Sequence, residues 1–538
     1  MADTRQTSVL EEYRRPANPP PGPEWLTLSG KQDLSVCLIS LYVIENTGIR
    51  LLAAILRRAG VRVHEIYFKD WVTNRIEEPT EQELALLVDQ VRLTKSDLVG
   101  VSVRASAFHR IARTVTERIR GALGVPVLWG GMHVTSCPDD ALRVADLIAV
   151  GEAERSVPEL VERLRTGKRP DRATGIACHT PDGIRRNPDA ALVSDLDSLP
   201  FSDFHSPDKV SIQGGRVVPG DPYVNEPVYL LMASRGCPFP SCSFCSNSVM
   251  DKRYSGQPYF RVRSVDSVLA EVAYAHRHFP NLKRIRFDDE EFPVQPAWFD
   301  EFCRRWEPEA GITFEIHMDP RVVTATRLSR LKKVGLDMVF TGIQSTEKIN
   351  RDLYCRNVSD EQVLAAAQAI HGSGVRAGYQ VILDDPVSTA EDKERLFELL
   401  LRLPRPYEII LFSLTVYPGS RLADILSERD LLKPEAVEGP ATKVFRQFRV
   451  DLSYARTAED RFWTALIVMV SKDFIPKSLL RELARSHTLR RHPEPLTALA
   501  FGTNVVKLGV MGVGLLRRGE LSVATTRRWL HYKSLVTY

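Results

Sequence analysis

Cys237, Cys242 and Cys245 lie in one run, Ser-Arg-Gly-Cys-Pro-Phe-Pro-Ser-Cys-Ser-Phe-Cys-Ser-Asn. Cysteine thiolate is the usual ligand of iron–sulfur clusters, so these three can hold three irons of a four-iron, four-sulfur ([4Fe-4S]) cluster. No fourth cysteine stands nearby. One iron is then left for an outside molecule, which makes the cluster a place for chemistry more than an electron relay. The competing reading is zinc. Structural zinc wants four closed ligands, often as two Cys-x-x-Cys pairs, and only Cys242 and Cys245 form such a pair. Cys37, Cys137, Cys178, Cys303 and Cys355 are scattered and read as small buried apolar side chains. The run Asp288-Asp289-Glu290-Glu291 follows a short apolar stretch. It serves equally as a solvated turn or as catalytic acids, and the sequence assigns no acid–base residue.

The elements that must carry these groups alternate between short apolar runs and amphipathic stretches. Residues 1–33 crowd Pro16, Pro19, Pro20, Pro21 and Pro23 and read as a disordered tail. Over 34–190, apolar runs at Val36–Leu41, Val61–Ile66, Leu98–Val103, Val125–Gly131 and Leu147–Gly151 alternate with helical segments. That pattern predicts a doubly wound parallel sheet. Such sheets bind ligands at the carboxyl ends of their strands, where Ser102, Gly130, Gly131 and Gly151 stand. Glycine there lets a flat ligand approach the backbone, and an ordinary tight turn is the plainer alternative. Residues 191–225 read as a linker. Over 226–440 a second alternating series predicts a partial (βα)6 barrel, with the cysteines directly after its first strand and polar residues after the others. Residues 441–538 read as a mainly helical domain with 17 Lys and Arg against 7 Asp and Glu.

Composition limits the classes. The 538 residues are 43% hydrophobic and 26% charged with a net charge of +4, values of a globular protein and not of a nucleic-acid binder. Eight cysteines are too few for a disulfide framework. Met-Ala-Asp-Thr-Arg-Gln carries no apolar signal segment and no long apolar run follows, so a cytoplasmic enzyme without a membrane span is expected. The basic C-terminal region reads as a solvated helical face or as an attraction to anionic substrates or membrane phosphates.

The cysteine loop resembles that of the radical S-adenosylmethionine (SAM) superfamily. Its spacing, C-x4-C-x2-C, is one residue longer than the usual C-x3-C-x2-C. Phe244 resembles the family's ring beside the SAM adenine. Gly342-Ile343-Gln344-Ser345 resembles a Gly-Ile-Glu-Ser segment near the SAM ribose, with Gln for Glu. Leu383-Asp384-Asp385-Pro386 stands where many relatives have Gly-x-Pro-Gly, and Tyr417-Pro418-Gly419-Ser420 resembles a late Pro-Gly-Thr turn. Residues 34–190 resemble the cobalamin (B12)-binding, flavodoxin-like domain of one branch of that superfamily. The resemblance rests on Val101-Ser102-Val103, on Gly130-Gly131-Met132-His133 and on Asp146 through Gly151, Glu152 and Glu154. Val43-Ile-Glu-Asn-Thr-Gly48 replaces the cobalt-ligating Asp-x-His-x-x-Gly, so no histidine ligates the metal there. His133 would belong to a loop under or beside the corrin. The resemblance implies three cofactors: a [4Fe-4S] cluster, SAM and cobalamin. It implies cleavage of SAM to a 5′-deoxyadenosyl radical and methylation of an unactivated carbon through methylcobalamin. The alternatives are an anaerobic oxidative cyclase type and a non-catalytic iron–sulfur or corrinoid-binding module. The implied partners are a small-molecule, lipid or peptide substrate and a reducing donor such as flavodoxin or ferredoxin.

Overall fold

The computed structural model describes residues 21–70, 78–307, 312–383, 385–412, 414, 416, 419–431 and 457–517. Its first half is built on β1 (Ser35–Leu41), β2 (Arg62–Phe68), β3 (Leu98–Ser102), β4 (Val127–Gly130) and β5 (Leu147–Ala149). These five are parallel, in the order β5-β4-β3-β1-β2. Every residue of β1 is buried, as a parallel strand covered on both faces requires, and this is why it reads as an unbroken apolar run. One apolar cluster lies on each face, around Phe68, Phe108 and Trp129 on one side and Trp25, Leu56 and Leu160 on the other. Strand order reverses between β1 and β3, the switch point at which doubly wound sheets bind ligands.

Two expected boundaries change. The tail does not stay loose along its whole length. A 3-10 helix at Glu24–Leu28 seats Trp25, 1% exposed, in the first core, and the indole Nε1 donates to the His179 carbonyl at 2.8 Å. Prolines bar regular structure but do not prevent a single large ring from docking; residues 1–20 lie outside the described residues. The linker is also partly sheet. After β6 (Ile176–Thr180) and β7 (Gly183–Arg186) on one edge, β8 (Lys209–Gln213) and β9 (Arg216–Pro219) extend the other beyond β2. β9 folds back on β8 as a hairpin, and the mixed composition of β8 hides its pairing with β2, far earlier in the chain.

The second half follows with β10 (Val228–Leu231), the short antiparallel pair β11 (Ser234–Arg235) and β12 (Arg261–Val262), then β13 (Arg284–Phe287), β14 (Thr313–His317), β15 (Leu336–Gln344), β16 (Arg376–Ile382) and β17 (Glu408–Phe412). Its six long strands are parallel and neighbour one another in chain order, forming the partial barrel. The helix Ala458–Val470 packs between Ala390–Arg402 and Glu494–Arg517, with every residue from Phe462 to Val470 buried. Residues 432–456 and 518–538 lie outside the described residues.

The halves share a core. Ile44, in the turn after β1, and Tyr67 of β2 join the barrel's apolar cluster with Phe204, Tyr223 and Tyr229. Arg50, fully buried, lies 4.4 Å over the Tyr67 ring and 4.5 Å over Phe204. It donates to both carboxylate oxygens of Asp221, at 2.9 and 2.7 Å, and Lys209 reaches the same carboxylate at 3.0 Å.

Candidate functional site

The chain leaves β10 and pairs briefly through β11 before turning into the cysteines. Cys237, Cys242 and Cys245 are unpaired and half-buried; Cys245 and Cys242 act electrostatically on Cys237, and Cys242 on Cys245. Burial pushes the Cys237 and Cys245 thiols up to about 12. Burial also raises Cys242, against the pull of Arg356. Such thiols become ligands when a cation displaces their protons. The loop is prepared for sulfur charge. The Phe239 amide donates to Cys237 Sγ at 3.3 Å, and Asn247 Nδ2 donates to Cys245 Sγ at 3.4 Å. Tyr259 in turn donates to Asn247 Oδ1 at 2.5 Å. Hydrogen bonds to cluster sulfurs are among the levers that set a cluster's potential. Three convergent thiols with donors on their sulfurs fit an iron–sulfur cluster.

Arginines complete this wall. Asp319, just past β14, accepts from Arg321 at 2.7 and 3.0 Å and from Arg356 at 2.7 Å. The Arg321 guanidinium lies 3.8 Å over the Phe239 ring inside the cysteine loop. Ser243 ties the loop to the other side, with its amide on the Tyr354 carbonyl at 2.9 Å and its hydroxyl on Leu353 at 2.7 Å.

Phe244 packs edge-on against Tyr354, with centroids 5.1 Å apart. Gln344 ends β15 in the left-handed region at φ 63°, where a side chain other than glycine is strained. Asn350 holds that turn by donating to the Ile343 and Ser345 carbonyls at 3.0 and 2.9 Å, and Arg356 also reaches Ile343. Ser345 is buried. The segment 350–356 therefore links Phe244, Gln344, Ser345 and the cysteine loop at one end of the barrel. Asp384, Tyr417 and Pro418 lie outside the described residues.

The acidic run divides by role. Asp289 Oδ1 accepts from the Ser234 amide and from its hydroxyl, the latter at 2.7 Å, latching β11 to the end of β13. Burial raises the Asp289 carboxyl to about 7. Glu291 accepts from the Asp319 amide at 2.8 Å, and burial raises it well above the usual carboxylate range. These two are buried latches and not a solvated turn. Glu290 is exposed and stands between Asn247 of the cysteine loop and Arg104 of the first half.

At the first sheet, Ser102 Oγ accepts from Asn46 Nδ2 at 3.1 Å. Asn46 also bonds Ser40 and caps the helix Thr47–Arg58. It occupies the loop from which the histidine is missing. Gly130 keeps open space beside its Cα, with only the Ala149 methyl at 3.9 Å. At Gly131, φ 108°, a Cβ would meet the Val103 carbonyl oxygen at 2.7 Å. At Gly151, φ 78°, a Cβ would sit 1.7 Å from the Tyr254 hydroxyl. For these two glycines the close approach is made by the protein itself. The open edge at Ser102 and Gly130, at the strand-order switch, is the part that fits a flat cofactor.

His133 is 2% exposed and engaged within its own domain. Its Nδ1 is 3.0 Å from Ser106 Oγ, and its Nε2 lies 3.2 Å from an Asp140 oxygen that is 2.9 Å from His109 Nε2. Glu152 faces the barrel, pairing with Arg261 at 2.6 and 3.0 Å and standing 3.6 Å from Arg235, while Glu154 takes Arg235 at 2.7 Å. Arg235 lies two residues before Cys237. The turn after β5 thus docks beside the cysteine loop. Asn46, Asp319, Arg321, Arg356 and the Glu152 partners carry no sequence signal of their own.

Comparisons with known proteins agree with this division. The family model described as the Radical SAM superfamily matches residues 231–400, and that described as the B12 binding domain matches residues 36–161. An uncharacterised methyltransferase of Pyrococcus horikoshii, PH0819, is 25% identical over 404 residues, 72% of this chain and 81% of its own. Bacteriochlorophyllide d C-8(2)-methyltransferase of Chlorobaculum tepidum is 22% identical over 356 residues, 63% of this chain and 70% of its own. Among solved structures, the cobalamin-dependent SAM radical enzyme OxsB superposes with a TM-score of 0.61 at 15% identity, covering 91% of this chain and 75% of that one. The radical SAM methyltransferase TsrM of Kitasatospora setae superposes with a TM-score of 0.58 at 16% identity, covering 73% and 76%.

Proposed function

We propose that this chain, which belongs to the radical SAM superfamily and carries a B12-binding domain ahead of its barrel, methylates an unactivated carbon of a small-molecule substrate. Its cofactors are a [4Fe-4S] cluster, SAM and cobalamin. When bound, they supply a hydrogen-abstracting carbon radical and a transferable methyl group, which is the hard chemistry the protein does not have to perform. The observation that carries the reading is the docking of the turn Gly151-Glu152 on Arg261, Arg235 and Tyr254, directly beside the cysteine loop. It sets the carboxyl edge of the first sheet against the reactive end of the barrel.

Each residue then has a task. Cys237, Cys242 and Cys245 hold the cluster, and Asn247 and the Phe239 amide temper their sulfurs. Arg321 and Arg356 offset its negative charge. Phe244, Gln344 and Ser345 orient SAM, Gln344 through an amide that bonds ribose hydroxyls. Ser102 and Gly130 shape the cobalamin edge, while Gly131, His133 and Glu152 fix the loops around it. Electrons arrive from a flavodoxin- or ferredoxin-type donor. Both the methyltransferase relatives and the paired domains support this reading.

The test is anaerobic reconstitution with SAM labelled in its methyl group, followed by product analysis. Label in the product together with 5′-deoxyadenosine is expected. Full deoxyadenosine formation with no label in any product would remove methyl transfer and favour the cyclase reading. Cys242→Ala serves as the control: cluster absorbance and deoxyadenosine should both vanish, and a variant that keeps either overturns the cysteine assignment.

A further inference from the structure

The helix Glu494–Arg517 is apolar on the side that should be polar. Leu496, Thr497, Ala500, Thr503 and Asn504 turn inward and are buried, toward the helix Ala458–Val470. The outward side carries Leu499, Phe501, Val505, Val506, Val510 and Val513, which are 48–69% exposed. An ordinary surface helix places charged residues there. Between Pro495 and Leu516 the sequence has a single charged residue, Lys507. Cations stand at both ends of this stretch in the sequence, Arg491 before it and Arg517 at its close. Among the described residues no helix is long and apolar enough to cross a membrane.

We infer that this helix lies in the surface of a membrane containing anionic phospholipids. Its outward side chains enter the boundary between headgroups and acyl chains, and the flanking cations meet phosphates, the arrangement of an interfacial helix. Two other occupants fit the charges less well. A second copy would press a region of 17 cations and 7 anions against its like. Residues 518–538 carry the same positive excess, with Arg518, Arg527, Arg528 and Lys533 against Glu520. Lipid phosphate satisfies both the apolar face and its basic margins.

The test is flotation of the full-length reconstituted protein with phosphatidylcholine vesicles, with and without phosphatidylglycerol, at low and high salt. Phosphatidylglycerol should increase binding about tenfold at low salt, with high salt reversing most of the gain. The double variant Val506→Asp, Val510→Asp should lose about tenfold in binding while its deoxyadenosine formation stays unchanged. The inference is overturned if neither vesicle binds, or if the double variant floats like the parent. It is equally overturned if sedimentation shows a dimer that this variant dissolves, or if binding appears only after residues 518–538 are removed.

Discussion

Asp289 shows how one side chain can tie the barrel's stability to pH. Its carboxyl is buried, raised to about 7, and latches the strand that feeds the cysteine loop. The unfolded chain titrates the same group near 3.9. Between those values the folded state binds more protons than the unfolded one, so this contribution to stability is whole below pH ~4 and lost as pH rises through ~7. Asp289→Asn should flatten the fall in unfolding free energy over that window, read from urea titrations, a difference on the order of a few kcal/mol. A variant with the parent's pH slope would place the proton elsewhere. The cysteines were legible because thiolate chemistry needs a specific residue at a specific spacing. The groups that tune them were not. Asp319 and Arg356 reach the loop from segments far along the chain, and no local pattern marks an arginine that will fold against a sulfur.

At the scale of elements, parallel strands were legible because burial on both faces leaves unbroken apolar runs such as β1. The strands β8 and β9 escaped notice because both are short and half-polar, and β2, the partner that joins β8 to the sheet, lies far earlier in the chain. The same segment supplies Asp221 to the buried Arg50. Removing one member of a buried ion pair leaves the other uncompensated, at a cost of about 3–5 kcal/mol. Lys209 still faces Asp221 at 3.0 Å, so Arg50→Met should cost near the lower end of that range, read from chemical denaturation. A change below about 1 kcal/mol would mean that the junction is held by its aromatic rings alone.

For the whole molecule, the question is how firmly the two cofactor-bearing halves are indexed to each other. Glu152 answers two arginines of the barrel while sitting beside the glycine turn of the first sheet. Glu152→Gln keeps the shape and removes the charge. It should lower methylated product about tenfold relative to 5′-deoxyadenosine, because misplacement by an ångström is enough to cost that much in transfer while leaving SAM cleavage in place. A proportional fall in both products would make Glu152 a determinant of folding only.

Because Ile44 and Tyr67 are counted in the apolar interior of the barrel, neither half owns its own boundary. A gene cut at the apparent seam would yield two fragments with raw faces, and swapping in a corrinoid module from another protein would graft a mismatched surface. It also follows that the spacing between the two halves is set when the chain folds.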